Sequence, residues 1–497
     1  MLEAMMLEDT SKRKLTLFKS LIRFSDKQHS INFFENRLDY SYSRVVYLLE
    51  QIQQDLTKMT GIKTEILQTN GVHYKQDSTY DMYYQYLITQ SVPYQLLVSI
   101  LFYPDDTLNK FCEKNYHSRT TVVRKSALLS NYFKQFGIKM NTSQLKLYGD
   151  ERMIRVTLYT LIWLASQGTN LPKLSHGLVD YEEVTDIISP YFPDSHSYSA
   201  HKQITLMLDI VYLRITSGNI LTENAKIDPY IPTNETYAQS FFGDLIKDTH
   251  VLAAETQFAS YLLISTPNFF REDDHRLSLL HNYLDTHTNS ATKLMNEFCD
   301  FFSKQFVPDD FSWEAQPILF GNIGNIIFSS VIMEKPFPTL FRSIDHSLYS
   351  KNEYYYLLFT HFKTFFRKIS KRKHFDWLKD IINQLSDTLA ALLVPLYSSF
   401  QVDNVVRIAM IAESNYLLVQ PLTQFINELP FVELVAYNAG EFSSFDFILT
   451  TSAYLIPDEC HLPSFVFRFS SDNDEQYIGL YQAIKALYNK KSSNHFK

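Results

Sequence analysis

The sequence predicts a mainly α-helical, multidomain chain that closes with a small α/β domain. Three observations carry this. Gly is scarce (12) beside 38 Phe and 33 Tyr in 497 residues, which suits helix packed on helix better than a turn-rich β protein. Apolar residues recur at helical spacing through most of the first 390 positions. After Pro395 short β-rich runs alternate with helical ones. A chain this long exceeds what one hydrophobic core supports, so several domains are expected.

Composition excludes several classes. An apolar fraction of 45% is wrong for disorder. The opening "MLEAMMLEDTSKRKL" lacks the apolar run of a signal peptide, and no stretch is long and uncharged enough for a membrane span. Cys112, Cys299 and Cys460 are far apart and odd in number, which predicts neither disulfides nor a zinc site and fits a reducing cytoplasm. No phosphate-binding glycine loop, HExxH or GxSxG motif is present, so no enzyme, catalytic residue, metal or cofactor is expected. Asp273-Asp274-His275 and Asp345-His346 read as solvated charge.

The charge is uneven. Residues 1–150 carry 19 Lys/Arg against 15 Asp/Glu, whereas 151–497 carry 27 against 39. A basic head on an acidic body predicts a polyanion partner for the head.

The elements of the head explain how. "SKRKLTLFKSLIRF" is an amphipathic helix and "HSINFFENRLDYS" a short helix and turn. In "YSRVVYLLEQIQQDL", Val45, Leu48, Leu49, Ile52 and Leu56 share one face, with Ser43, Arg44, Tyr47 and Gln51 on or near the other. Asn70-Gly71 then signals a hairpin. The order repeats downstream. "YQLLVSILFYP" is a helix ended by Pro104, "TLNKFCEKNYHS" a short helix and turn, and "IKMNTSQLKLYGD" a hairpin bearing Lys139 and Lys146.

Between turn and hairpin lies "HSRTTVVRKSALLSNYFKQFGIKM", which has five basic residues and no acid. With Ser118 as N-cap, one helix places Val122, Ser126, Leu129, Phe133 and Phe136 inward. Thr120, Arg124, Ala127 and Asn131 fall outward, flanked by Arg119 and Thr121. Slim polar residues with Arg suit a DNA groove. Both halves thus predict a winged helix-turn-helix with double-stranded DNA as partner. The candidate contacts are Ser43, Arg44 and Tyr47 in the first, and Ser118, Arg119, Thr120, Thr121, Arg124, Lys125 and Lys134 in the second.

Residues 171 to about 390 read as helices throughout. "SPYFPD" at 189–194 and "KQFVPD" at 304–309 mark a weak repeat, which predicts two helical bundles. In the last hundred residues, "NVVRIAMIA", "FVELVAYN", "DFILTTS" and "SFVFRFS" predict strands. "YLLVQPLTQFINEL" and "DEQYIGLYQAIKALY" predict helices.

With "LYGDERMIRVTLYTLIW" closing the second basic unit and "YSRVVYLLEQIQQDL" in the first, the chain resembles the Mga/AtxA family of virulence regulators of Gram-positive bacteria. The resemblance follows the domain order of the whole chain and is most specific over roughly residues 11–165. It implies a first helix-turn-helix domain at 1–76 and a second, winged one at 77–165. Two PTS regulation domains at 166–288 and 289–392, and a domain like the IIB subunit of a sugar phosphotransferase at 393–497, complete it. It implies a cytoplasmic DNA-binding transcription regulator, an activator, tuned by histidine phosphorylation through the phosphocarrier HPr and by oligomerisation.

The candidate phosphorylation sites are His201, His250 and His361, with His196, His275, His281, His287 and His346 weaker. A IIB subunit carries its active cysteine after the first strand. Here that loop is Ala412-Glu413-Ser414-Asn415, so the domain is expected to be inert and to serve association in a homodimer or higher homo-oligomer. The alternative is a non-DNA helical scaffold or sensor of the phosphotransferase network.

Overall fold

In the computed structural model, which describes residues 2–75, 78–166, 198–221, 245–265, 268–339, 353–400, 405–412, 416–435, 437, 444–469 and 473–494, the first elements follow the apolar periodicity. Helix α1 (Leu2–Met6) is followed by α2 (Asp9–Arg23), α3 (Ile31–Leu38) and α4 (Tyr42–Thr60). Ser30 starts α3 by accepting the Phe33 N–H at 3.3 Å, and Asp39 ends it in the left-handed conformation. The Glu35 carboxylate then accepts the Tyr42 N–H at 3.0 Å, tying the two sides of the turn. Val45, Leu48, Leu49, Ile52 and Leu56, the stripe read from sequence, are all buried.

The hairpin β1 (Leu67–Gln68) and β2 (Gly71–Val72) turns on Thr69-Asn70, one residue earlier than the Asn-Gly signal implied. Gly71 opens β2 instead, at φ 140°. A Cβ there would stand 2.5 Å from the His29 carbonyl oxygen, because His29 exchanges backbone hydrogen bonds with Val72 across the hairpin edge.

The second set is α5 (Tyr80–Thr89), α6 (Val92–Phe102), α7 (Leu108–Lys114), α8 (Arg119–Lys125), α9 (Ala127–Gln135), β3 (Lys139–Asn141), β4 (Lys146–Tyr148) and α10 (Glu151–Ser166). The single helix expected after Ser118 is two. Buried Ser126 turns its hydroxyl back to the Val122 carbonyl at 2.7 Å, and the helix breaks there. The predicted inward face survives the break, with Val122, Ser126, Leu129 and Phe133 buried and Phe136 partly so.

The chain then forms α11 (Tyr198–Thr216), α12 (Thr249–Ser265), α13 (His275–Thr286), α14 (Ser290–Phe306), α15 (Pro317–Met333), α16 (Glu353–Ile369) and α17 (Leu378–Ser399). Gly321 and Gly324 let α15 approach α13. A Cβ at either would lie 2.4 Å from Leu277 Cδ2 or 2.7 Å from Leu280 Cδ2. The "SPYFPD" copy of the repeat, His196 and His346 lie outside the described residues, as does the side chain of His201. Helix α17 runs through the boundary expected at 392/393.

The described residues divide into two compact units. The first takes those of Met1–Phe301, Ser312–His346 and Phe365–Thr388. Within it, α10 is tied to α11 and α12 by buried charge. Arg155, 1% exposed, meets Glu255 at 2.5 and 2.9 Å, Glu151 at 3.0 Å and the Asn219 carbonyl at 2.9 Å. Arg214 closes on Glu151 at 2.7 and 2.8 Å.

The second unit takes the described residues of Phe302–Phe311, Ser347–Thr364 and Leu389–Lys497. Its sheet has four parallel strands, β5 (Val406–Ile411), β6 (Val432–Val435), β7 (Phe447–Thr450) and β8 (Ser464–Val466), in the order β6-β5-β7-β8. Helices α18 (Tyr416–Asn427) and α19 (Asn473–Asn494) cover one face through Leu422, Ile426, Leu480 and Ile484. This is the small α/β domain expected. Residues 413–415 of the loop where a IIB cysteine would stand lie outside the described residues.

Candidate nucleic-acid interface

The N-cap of α8 organises the second recognition helix. Ser118 Oγ accepts the Thr121 N–H at 3.2 Å and lies 2.8 Å from Thr121 Oγ1 and 3.1 Å from Thr120 Oγ1. Ser118 is exposed, yet its oxygen is committed to the cap. Arg119, Thr120 and Arg124 are exposed, and Thr121 is half-buried. Arg119, Arg124 and Lys134 make no ion pair among the described residues, so their charge is available to a partner. Lys125 differs. It is half-buried and ion-paired with Glu8 of the N-terminal segment, which the helical projection alone could not reveal.

Two exposed apolar side chains were missed from sequence. Val123 and Leu128 are 52% and 54% exposed beside Arg124, where an apolar surface can meet a thymine methyl. Their signal was positional: both fall outside the inward stripe. Tyr116, 95% exposed, stands in the turn before α8 at φ 55°. In the hairpin, Met140 and Leu147 point inward, while Lys139, Lys146 and Tyr148 are exposed. The wing therefore adds two cations to the same domain. His117, at the start of this region, faces Gln95 at 3.3 Å; burial, and then the Lys125 charge, lower its pKa and favour the neutral ring.

On α4, which the sequence reading takes as the first recognition helix, Ser43, Arg44 and Tyr47 are all exposed near the N-terminus. Tyr42, also exposed, extends this face. Of the predicted contacts, the structure thus gathers Ser43, Arg44 and Tyr47 on α4 and Arg119, Thr120 and Arg124 on α8. Lys134 is exposed one helix further on, in α9.

Among the described residues the candidate histidines show no comparable grouping. His250 is exposed in the first turn of α12, its N–H bound to Asp248 at 2.9 Å. His361 is exposed on α16, edge-on to Phe306 at 5.4 Å. His275 is exposed at the start of α13. His281 stacks on Phe320 at 5.0 Å and His287 on Tyr283 at 4.2 Å. Among the described residues no cluster of His, Cys, Asp or Glu has the makings of a metal site, and no helix is long and apolar enough to cross a membrane.

A short helix, a turn, a solvent-facing second helix and a hairpin define a winged helix-turn-helix. Residues 76–162, from α5 through most of α10, match the family model described as Mga helix-turn-helix domain, which supports a Mga-family regulator. No curated protein matches the chain.

An expected outcome follows from the two lysines. Lys134→Ala should lower affinity for duplex DNA across sequences and flatten the salt dependence by about one ion. Lys125→Ala should do less, because Glu8 already neutralises that charge. Affinity measured across a salt series checks both, and a larger slope change for Lys125 contradicts the assignment.

Proposed function

We propose that the chain is a cytoplasmic DNA-binding transcription regulator, an activator rather than an enzyme. The observation that carries this is the Mga helix-turn-helix domain with Arg119 and Arg124 exposed and unpaired among the described residues on α8. Footprinting the intact protein on promoter fragments from its own genome tests it. A discrete protected site is expected. Only uniform, salt-labile coating, or no binding at all, favours a helical scaffold of the phosphotransferase network instead.

Phosphorylation and self-association tune this activity in the same proposal. A phosphohistidine adds strong acceptors and negative charge, enough to reset an interface. The exposure of His250 and His361 supports access for the phosphocarrier HPr. Incubation with enzyme I, HPr and phosphoenolpyruvate should label the protein on histidine, and replacing His201, His250 and His361 together should abolish the label. Persistent labelling assigns other histidines; no labelling removes the phosphorylation arm.

Association in a homodimer or higher homo-oligomer is assigned to the second unit. Of the α19 residues Ile478, Tyr481, Ile484, Lys485 and Tyr488, the sheet claims Ile484, and Lys485 lies over the Phe431 and Tyr488 rings at 4.4 Å. Ile478 and Tyr481 remain 58% and 41% exposed and support an outward apolar contact.

A further inference from the structure

We infer that α4 and α8 form one rigid reader, so that the DNA segments they contact must lie at a single fixed spacing, with Lys14, Asp55 and Tyr83 as positioning residues. This rests on the DNA-binding reading above. Tandem recognition units on a flexible linker search a range of spacings, and a spacer change of one helical turn restores their alignment. Here three separate ties remove that freedom.

The first tie is polar. Lys14 on α2 and Asp55 on α4 belong to the first basic unit, and Tyr83 on α5 to the second. The Lys14 ammonium donates to Asp55 Oδ2 at 2.5 Å, and the Tyr83 hydroxyl donates to the same oxygen at 2.8 Å. Lys14 is 8% exposed and Tyr83 fully buried. Burial, and then the Asp55 charge, raise the Tyr83 phenol far above its ordinary value, so it stays a donor.

The second tie is aromatic: Phe18 on α2, fully buried, has its ring 4.6 Å from that of Tyr83 and 5.3 Å from that of Tyr74. Tyr74 in turn accepts the Ser78 N–H and donates to the Ser78 carbonyl, both at 2.8 Å, at the passage from one unit to the next.

The third tie crosses in the opposite sense. Helix α1 precedes the other helices of the first basic unit in sequence but packs on α6, α9 and α10 of the second basic unit. Leu2, Met5 and Met6 are buried there, and Glu8 then takes Lys125 of α8 itself. Withdrawing apolar side chains of this size into water is strongly unfavourable, and the partly buried Lys14–Asp55 pair adds to that cost. A swing of one basic unit against the other would have to break the Tyr83–Asp55 bond, the Phe18–Tyr83 ring contact and the α1 packing together.

Selection of bound sequences from a random duplex library several helical turns long, with the full-length protein, tests this. Two preferred blocks at one separation are expected. Lengthening the spacer of a selected duplex by about 5 or about 10 base pairs should each weaken binding by the same factor, of order 100-fold. Recovery at the longer insertion, or blocks at several separations, overturns the rigid coupling. A single block, or binding with no sequence preference, shows that the two helices do not both read and overturns it too. Failure to retain any duplex sinks the DNA-binding reading instead.

A second arm uses Asp55→Asn, which leaves the Lys14 ammonium without its carboxylate. The same blocks are expected, with a smaller loss of affinity at changed separations than the parent shows, because the aromatic and α1 ties remain. The parent's full loss at changed separations in this variant removes Lys14, Asp55 and Tyr83 as positioning residues.

Discussion

Glu255→Gln is expected to cost about 3–5 kcal/mol of unfolding free energy, the usual penalty for breaking a buried ion pair from one side. Glu255 is fully buried, and its carboxylate takes two Arg155 hydrogen bonds and the Leu221 N–H at 2.7 Å. With Glu151 and Arg214 it completes a set of two cations and two anions where α10 meets α11 and α12. The amide keeps the shape but leaves one positive charge uncompensated in a medium of low effective dielectric. Replacing Arg155 and Glu255 together by Met should restore much of the loss, because it removes both charges and Arg214 keeps Glu151. Urea titration followed by circular dichroism checks this. A single variant with the parent's midpoint and slope would show that the charges are not buried as described.

Arg124→Ala should weaken binding to the preferred duplex by about 10–100-fold, as loss of one direct arginine contact to a base or phosphate does. The residue is exposed and pairs with no acid among the described residues, so its removal should leave the unfolding midpoint unchanged. The pair of measurements matters. Unchanged affinity in a folded variant removes Arg124 from the interface, while lost affinity with a lowered midpoint reports damage to the fold. Arg124→Lys should recover only part of the affinity if the contact is bidentate, since an ammonium lacks the planar fork.

Much of the fold was legible because it depends on periodicity. The α4 stripe and the inward face around Val122 appeared where a 100° repeat placed them, and the four C-terminal strands arose from β-rich runs bounded by turns. Within a helix, solvent and core divide by spacing alone, so the exposure of Arg44, Thr120 and Arg124 could be read before any contact was known. The Ser126 break was not legible, since the same serine fits an inward face whether or not its hydroxyl turns back on the helix.

What the sequence by itself determined is the order of elements, the inward and outward faces of α4 and α8, and the concentration of basic residues in the first third. Each depends on neighbours within a few positions. Only the tertiary structure decided which of those charges remain available and which are spent: Lys125 on Glu8, Lys14 on Asp55, and Arg155 on Glu255. The partners lie 117, 41 and 100 positions apart in the chain. Local periodicity carries no information across such distances, because pairing there depends on how helices pack and on the strong penalty for leaving a buried charge alone.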